Sequence, residues 1–260
     1  MSKTNVIFGI LLLIITVMIT VLACSFLPAE PTDAEGHEDV EFSWGDGSGG
    51  HNMTVSVPIA DIEGYQRTLI PRQFCIFAAE RYITDDHAVR EVSSKLYDMT
   101  TEMDDTERIF FVNHFIHKNI EYSSDLDMHN CRDYYQYPAE TILSKQGDCE
   151  DMAMLEIAIL RDMGYDAILL TNGSHAIAGV AGIECSGDHT DYSGKSYYHL
   201  DPTMKVGIGV SADGGYFPMK NLFGEIFLVI LIISWIVCLM SISGVLFGSN
   251  NDKVYRKRTE

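Results

Sequence analysis

Two long uncharged runs, one near each end of the chain, constrain its architecture more than any motif between them. Val6 to Ala23 contains 18 residues without a charge, and Ile226 to Phe247 contains 22. A helix crosses a bilayer core with about 20 apolar residues, so 224–248 reads as a C-terminal transmembrane helix. A buried core helix would rarely stay apolar around its whole circumference for six turns. Residues 1–27 read as an N-terminal transmembrane anchor or a signal segment. The apolar run exceeds a usual signal-peptide core, which favours an anchor, whereas Val21-Leu22-Ala23-Cys24 fits a lipoprotein cleavage box with Cys24 as the lipidated residue.

Flanking charge sets the orientation. Lys253, Arg256, Lys257 and Arg258 follow the second run, so 249–260 is a basic cytoplasmic tail. Two spans then place both termini in the cytoplasm and the middle outside a cell membrane. The chain has 18 Lys+Arg and 37 Asp+Glu; setting aside Lys3 and the tail leaves 13 basic and 35 acidic residues between the runs, formally −22. Such a surface repels phosphate backbones, which excludes nucleic acid as the main partner. With 21 Gly, 7 Pro and 6 Cys, collagen, low-complexity disorder and a dense disulfide scaffold are also excluded.

Residues 28–50 are acidic, rich in Gly and Pro and poor in aliphatics, and read as a disordered acidic linker. The glycine run from Gly45 to Gly50 lacks the Gly-Lys-Ser/Thr of a phosphate loop. The extracytoplasmic domain is expected over 51–223. Met53 to Ile59 alternates like a strand, and His87 to Met103 and Asp105 to Asn119 have helical spacing. Pro138 to Lys145 is a short helix with Pro first and Glu140 in its first turn. Cys149 to Met163 is apolar on most of its circumference, so it belongs inside the domain. Ala167 to Thr171, Ala176 to Gly182 and Ser196 to Leu200 read as strands.

Cys149 opens the buried helix, where free N–H groups and the helix dipole favour a thiolate. Asp148, Glu150 and Asp151 oppose that shift, so an imidazolium is needed nearby. His175 opens a strand 26 residues later, and Asp201 closes another 26 beyond that. Adjacent strands could hold an imidazole between thiol and carboxylate, the logic of a nucleophile, a base and an orienting group. His199, two residues before Asp201 and on the same strand face, is an alternative base.

The blocks Tyr137-Pro138-Ala139-Glu140, Gly147-Asp148-Cys149-Glu150-Asp151, Leu160-Arg161-Asp162-Met163-Gly164-Tyr165, Ser174-His175-Ala176 and His199-Leu200-Asp201-Pro202-Thr203 resemble the transglutaminase-like superfamily, in a membrane-anchored prokaryotic or archaeal form. The resemblance runs from about Glu107 to Thr203. It implies an α+β, papain-like core with the cysteine-bearing helix packed on an antiparallel sheet, here flanked by two transmembrane helices. By that resemblance Cys149 is the nucleophile, His175 the base and Asp201 the orienting carboxylate. Related periplasmic proteases bind calcium through acids flanking the cysteine. Asp148 and Glu150 match them, but two carboxylates fall short of six to eight oxygen ligands, and no metal or cofactor is expected. Tyr137 and Gln146 are the nearby side chains that could assist the Cys149 N–H in holding an oxyanion.

Other constellations are weaker. His114, His117, His129 and Cys131 form a loose zinc pattern. Asp125 to Asn130 starts like a calcium loop but lacks its sixth-position Gly and twelfth-position Glu. Cys75, Cys131 and Cys185 allow one disulfide, with Cys131–Cys185 the expected pair. Asn52 and Asn172 fit a glycosylation acceptor pattern.

The expected function is a membrane-tethered cysteine hydrolase acting on peptide or carboxamide bonds of a protein or peptide substrate in the cell envelope. The alternatives are an amine-accepting cross-linking enzyme and a non-catalytic envelope binding module on the same fold. The residues do not separate hydrolysis from cross-linking.

Overall fold

The computed structural model describes residues 36–45, 49–67, 72, 79–211 and 214–219. They belong to one unit, 28–67 with 71–221. Both apolar runs, the basic tail, Cys24 and Cys75 lie outside the described residues. Among the described residues no helix is long and apolar enough to cross a membrane.

The chain enters through an antiparallel hairpin of β1 (His37–Gly45) and β2 (Gly50–Pro58), paired from His37 with Pro58 to Gly45 with Gly50. For His37–Gly45 and Gly50 this corrects the expectation of a disordered 28–50 linker; 28–35 and 46–48 lie outside the described residues. Val40, Phe42 and Trp44 alternate with exposed residues and face Met53, Val55 and Val57 in the core. That period of two marks a half-buried strand, but the acidic residues between them mask it in a composition-based reading. The hairpin is anchored by rings: Phe42 and Trp44 meet Phe115 with centroids 5.2 and 5.0 Å apart. Its edges are blunted, since Lys145 donates to the Glu41 carbonyl and the Ser56 N–H donates to Glu91 at 2.9 Å.

Helix α1 (Ile59–Arg67) follows, then α2 (His87–Met99) and α3 (Asp105–Asn119). Asp86 caps α2 through the Val89 N–H, and Asp104 with Glu107 forms a capping box on α3. α2 stops at Met99 rather than Met103. Thr100 folds back there, its hydroxyl donating to the Leu96 carbonyl at 2.8 Å. A two-residue strand β3 (Glu121–Tyr122), the short α4 (Asp125–His129), α5 (Pro138–Ser144) and a two-residue β4 (Gln146–Gly147) lead to α6 (Cys149–Asp162).

α6 is the centre of the domain. Every residue from Asp151 to Leu160 is buried, at about 1.5–3 kcal/mol for each large apolar side chain. Helices α2, α3 and α5 pack on it from one side and the sheet from the other. That sheet contains β5 (Asp166–Thr171), β6 (Ala176–Ala181), β7 (His189–Tyr192), β8 (Lys195–Leu200) and β9 (Phe217–Pro218), in the order β7-β8-β6-β5-β9. All its pairings are antiparallel. The expected α+β arrangement, a buried cysteine-bearing helix on an antiparallel sheet, is thus present.

Gly179 in β6 is a packing requirement. A Cβ there would lie 2.6 Å from Leu170 Cδ1 and 3.2 Å from Tyr197 Cβ. Gly179→Ala is expected to lower stability by about 1–3 kcal/mol, read as a lower denaturant midpoint; an unchanged midpoint would show that Leu170 yields freely.

Candidate active site

The first turn of α6 and the β5–β6 turn meet at one cleft. Gly147 brings the chain into α6 at close quarters, since a Cβ there would lie 2.8 Å from Asp151 Cβ. Asp148 occupies the N-cap in extended geometry, and its side chain makes no capping bond. Cys149, 9% exposed, follows as the first helical residue. On the sheet side, Asn172 Oδ1 accepts from the Ser174 and His175 N–H groups, at 3.0 and 2.9 Å. Gly173 takes φ +91° inside that turn. The turn delivers His175 to the start of β6.

His175 Nε2 lies 2.9 Å from Asp201 Oδ2. Pairing of Ala178 with Leu200 puts the start of β6 beside the end of β8, which brings these two residues together. The Asp201 side chain is fully buried. Its Oδ1 accepts from the Thr203 N–H and hydroxyl, at 3.0 and 2.6 Å. Burial alone would raise the Asp201 carboxyl, but the bonds from His175 and Thr203 outweigh it and hold it below the usual carboxylate range. Cys149 and His175 line the same cleft of about 370 Å³, with Tyr122, Asp133, Tyr135 and Met219. The sequence-derived residues Cys149, His175 and Asp201 are therefore gathered at one place.

The thiol has a second neighbour. Cys149 Sγ lies 2.9 Å from Glu150 Oε2, with the S–H as donor. Burial pushes the thiol strongly up, and Glu150 and then Asp148 add to this, against an opposing bond from the Ala176 N–H. In this arrangement the cysteine is a neutral thiol held by a carboxylate.

Glu150 belongs to a larger acidic group than the sequence suggests. α4 and the loop after it bring Asp125 and Asp133 beside Glu150, and Asp125 also lies with Asp148 and Asp151; within each trio the oxygens are no more than 4.8 Å apart. The Tyr134 N–H donates to Asp125 Oδ2 at 2.6 Å, while Gln136 donates to both Asp151 oxygens at 2.8 Å. No donor among the described residues reaches buried Asp125 Oδ1 or Asp148 Oδ1. Burial pushes Asp125 up to about 6. It raises Asp148, reinforced by Glu150, and Asp151 against the pull of Gln136. Hard carboxylate oxygens suit a divalent cation such as calcium, and two trios that share Asp125, one with Asp133 and Glu150 and one with Asp148 and Asp151, are each close enough to contribute ligands to one. Asp125 thus belongs to the site although 125–130 fails as a calcium loop and folds instead as α4, capped by Ser124. The sequence signal available was the density of acids around Asp125, without the chain path that joins them to α6.

Other sequence-derived expectations are corrected. His199 is buried, with Nε2 at 2.9 Å from Thr190 Oγ1 in β7 and Nδ1 at 3.0 Å from Ser211 Oγ in the segment after β8, so both ring nitrogens are occupied away from the cleft. Tyr137 and Gln146 are not among the residues lining the cleft. Tyr137 instead stacks on Tyr65 at 3.9 Å, and the Gln146 carbonyl accepts from Gln136. Cys131 and Cys185 are free thiols, not a disulfide. Among the described residues, the groups able to hold a metal include none of His114, His117, His129 or Cys131. His114 meets the Gly45 carbonyl, His117 the Pro202 carbonyl, and His129 stacks on Tyr134.

Residues 87–183 match a family model described as a transglutaminase-like domain. Over these residues the chain is similar to transglutaminase-like domains. The matched span contains α2 through β6, including Cys149 and His175, and ends before Asp201. A search of curated proteins finds no match. Among solved structures, Legionella pneumophila LapG aligns at 20% identity and a TM-score of 0.36, over 55% of this chain and 80% of its own; a calcium-bound form of LapG aligns with the same identity and score. A candidate cysteine protease from Cytophaga hutchinsonii aligns at 14% identity and a TM-score of 0.34, over 75% of this chain and 74% of its own.

Proposed function

We propose that this protein is a membrane-tethered cysteine hydrolase of transglutaminase-like type, cleaving peptide or carboxamide bonds of an envelope protein or peptide outside the membrane. One observation carries the reading: His175, fixed by buried Asp201, lines the same cleft as the thiol at the N-terminus of α6. The two terminal apolar runs support the tether, with both chain ends cytoplasmic.

The chemistry follows from the groups present. Asp201 holds His175 through Nε2, and Nδ1 is the nitrogen assigned to proton exchange. Cys149 gives its proton to His175, and the thiolate attacks the amide carbonyl carbon, forming a C–S bond as the π electrons move to oxygen. The carbonyl re-forms, the C–N bond breaks, and the departing amine takes the proton from His175. A thioester remains. Water, losing its proton to His175, then releases the carboxylic acid and restores the thiol. A divalent cation among the acidic residues would neutralise the charge that keeps Cys149 protonated. Asp125, Asp133, Asp148, Glu150 and Asp151 would hold it.

The Glu150–Cys149 contact also favours a second reading, a non-catalytic binding module, because it stabilises an unreactive thiol. The pH dependence of Cys149 alkylation in the purified full-length protein, followed by mass spectrometry in calcium and in chelator, separates the two. Hydrolysis predicts fast labelling near pH 6 in calcium, absent in Cys149→Ala and slowed in His175→Ala. A rate that rises only toward a free thiol's pKa of about 8.5 in both conditions, indifferent to His175, would leave the binding module standing.

A further inference from the structure

The cleft that holds Cys149 and His175 also presents a cation that the proposed chemistry does not use. Arg132, in the loop between α4 and α5, is the one lysine or arginine among the described residues lining it. Arg132 is exposed, and among the described residues it takes part in no hydrogen bond or ion pair. It stays unpaired although Asp133, Asp148 and Glu150 line the same cleft.

The loop is fastened on both sides of Arg132. Asn130 closes α4 in the left-handed region, at φ 53°. Beyond Arg132, three successive backbone N–H groups are tied down. Tyr134 donates to Asp125 Oδ2 at 2.6 Å, Tyr135 to the Arg72 carbonyl at 3.1 Å and Gln136 to Asp151 Oδ1 at 2.8 Å. Asp151 belongs to the first turn of α6, so the last of these bonds fixes the loop relative to Cys149. A free side chain on a loop held by a rigid scaffold is placed to meet a ligand.

The chemistry of that ligand follows from the charges. A guanidinium offers a planar fork of N–H donors that matches a carboxylate with two parallel bonds. A neutral or basic side chain gains nothing from it. An acidic one is repelled by Asp133 and Glu150 and welcomed only at Arg132, so the same charges that oppose entry also fix where an acid can sit. We propose that Arg132 is a specificity-determining residue: it forms a subsite for an aspartate or glutamate side chain of the bound peptide, close to the bond presented to Cys149. An acid held there sets the register of an otherwise flexible chain.

This rests on the reading of Cys149 as a nucleophile that meets a bound peptide, but its test needs no turnover. Cys149 in the full-length protein, in calcium, is labelled with the α-amides of N-iodoacetyl-glutamate and N-iodoacetyl-glutamine, which differ only in the side-chain carboxylate. Mass spectrometry gives the two rates, and their ratio cancels any change in the thiol itself. Arg132→Gln should lower the glutamate-to-glutamine ratio by about threefold to tenfold, between the effect of an exposed ion pair and that of a charge-assisted fork. Arg132→Lys should keep part of it. Lys118→Gln removes an equal charge from the exposed end of α3, outside the cleft lining, and should leave the ratio at the wild-type value. A ratio unchanged in Arg132→Gln would overturn the proposal. So would an equal fall in Lys118→Gln, which would show the protein's general field at work rather than a subsite. Should Arg132 govern the ratio and no peptide be hydrolysed, the subsite would stand and the proposed activity would not. Hydrolysis indifferent to Arg132 would do the reverse.

Discussion

Glu150→Gln is expected to accelerate alkylation of Cys149 at neutral pH, in the presence of chelator, by about tenfold to a thousandfold. The thiol has Glu150 Oε2 at 2.9 Å, and after burial that carboxylate is the main cause of its raised pKa. Taking away a like charge at hydrogen-bonding distance changes an ionisation equilibrium by about one to three orders of magnitude. Glutamine keeps the side-chain length, so packing of the α6 N-terminus is preserved. Asp148→Asn should act in the same direction and more weakly, because Asp148 ranks behind Glu150 among the causes. Adding His175→Ala to Glu150→Gln should cancel most of the gain, since the freed proton then lacks an acceptor. An unchanged rate in Glu150→Gln would show that burial alone keeps the thiol protonated, and that neutralising the acids does not switch the site on.

The parts of this site that could be read in the sequence are those built by local rules. α6 announces itself through a solid apolar run closed by Gly164, and β5, β6 and β8 through short apolar stretches ending at turns. Cys149, His175 and Asp201 follow because each sits at the boundary of such an element. What could not be read depends on where distant segments return. Asp125 and Asp133 join Glu150 only because α4 folds back against the α6 N-terminus, and no periodicity records that path. Tyr137 and Gln146 are near Cys149 along the chain yet are drawn away by Tyr65 and Gln136. The β1 strand hides for another reason, since Glu38, Asp39 and Glu41 dominate its composition while Val40, Phe42 and Trp44 alternate beneath them. Glu156 is the opposite case: one acid in an apolar helix is lost in the average, although it is what makes that helix unlike an ordinary core helix.

The buried acids also predict an inverted pH dependence of stability. In the folded protein Glu156 is pushed up to about 8 by burial and by Asp201, and Asp148 and Asp151 are raised as well. In the unfolded chain all three ionise near pH 4. The folded state thus holds protons that the unfolded state has released, so stability is full below about pH 4 and is lost as pH rises through the folded pKa values. Other groups act in the opposite sense at lower pH. Burial holds His129 and His199 below the usual imidazole range, and Asp201 is depressed, so their contributions are lost on acidification. From pH 6.5 to 8.5 the neutral form of those histidines already dominates and the raised carboxyls set the slope. Over that window unfolding free energy in chelator should fall by about 2 kcal/mol or more, measured as the denaturant midpoint and slope. Glu156→Gln should remove part of the fall. Calcium should reduce it further, because a cation that binds only the folded, deprotonated carboxylates stabilises them by mass action. A flat profile in chelator would mean that these carboxyls are ionised in the fold. A profile unaltered by calcium would mean that the five acids, although close together, do not hold the ion.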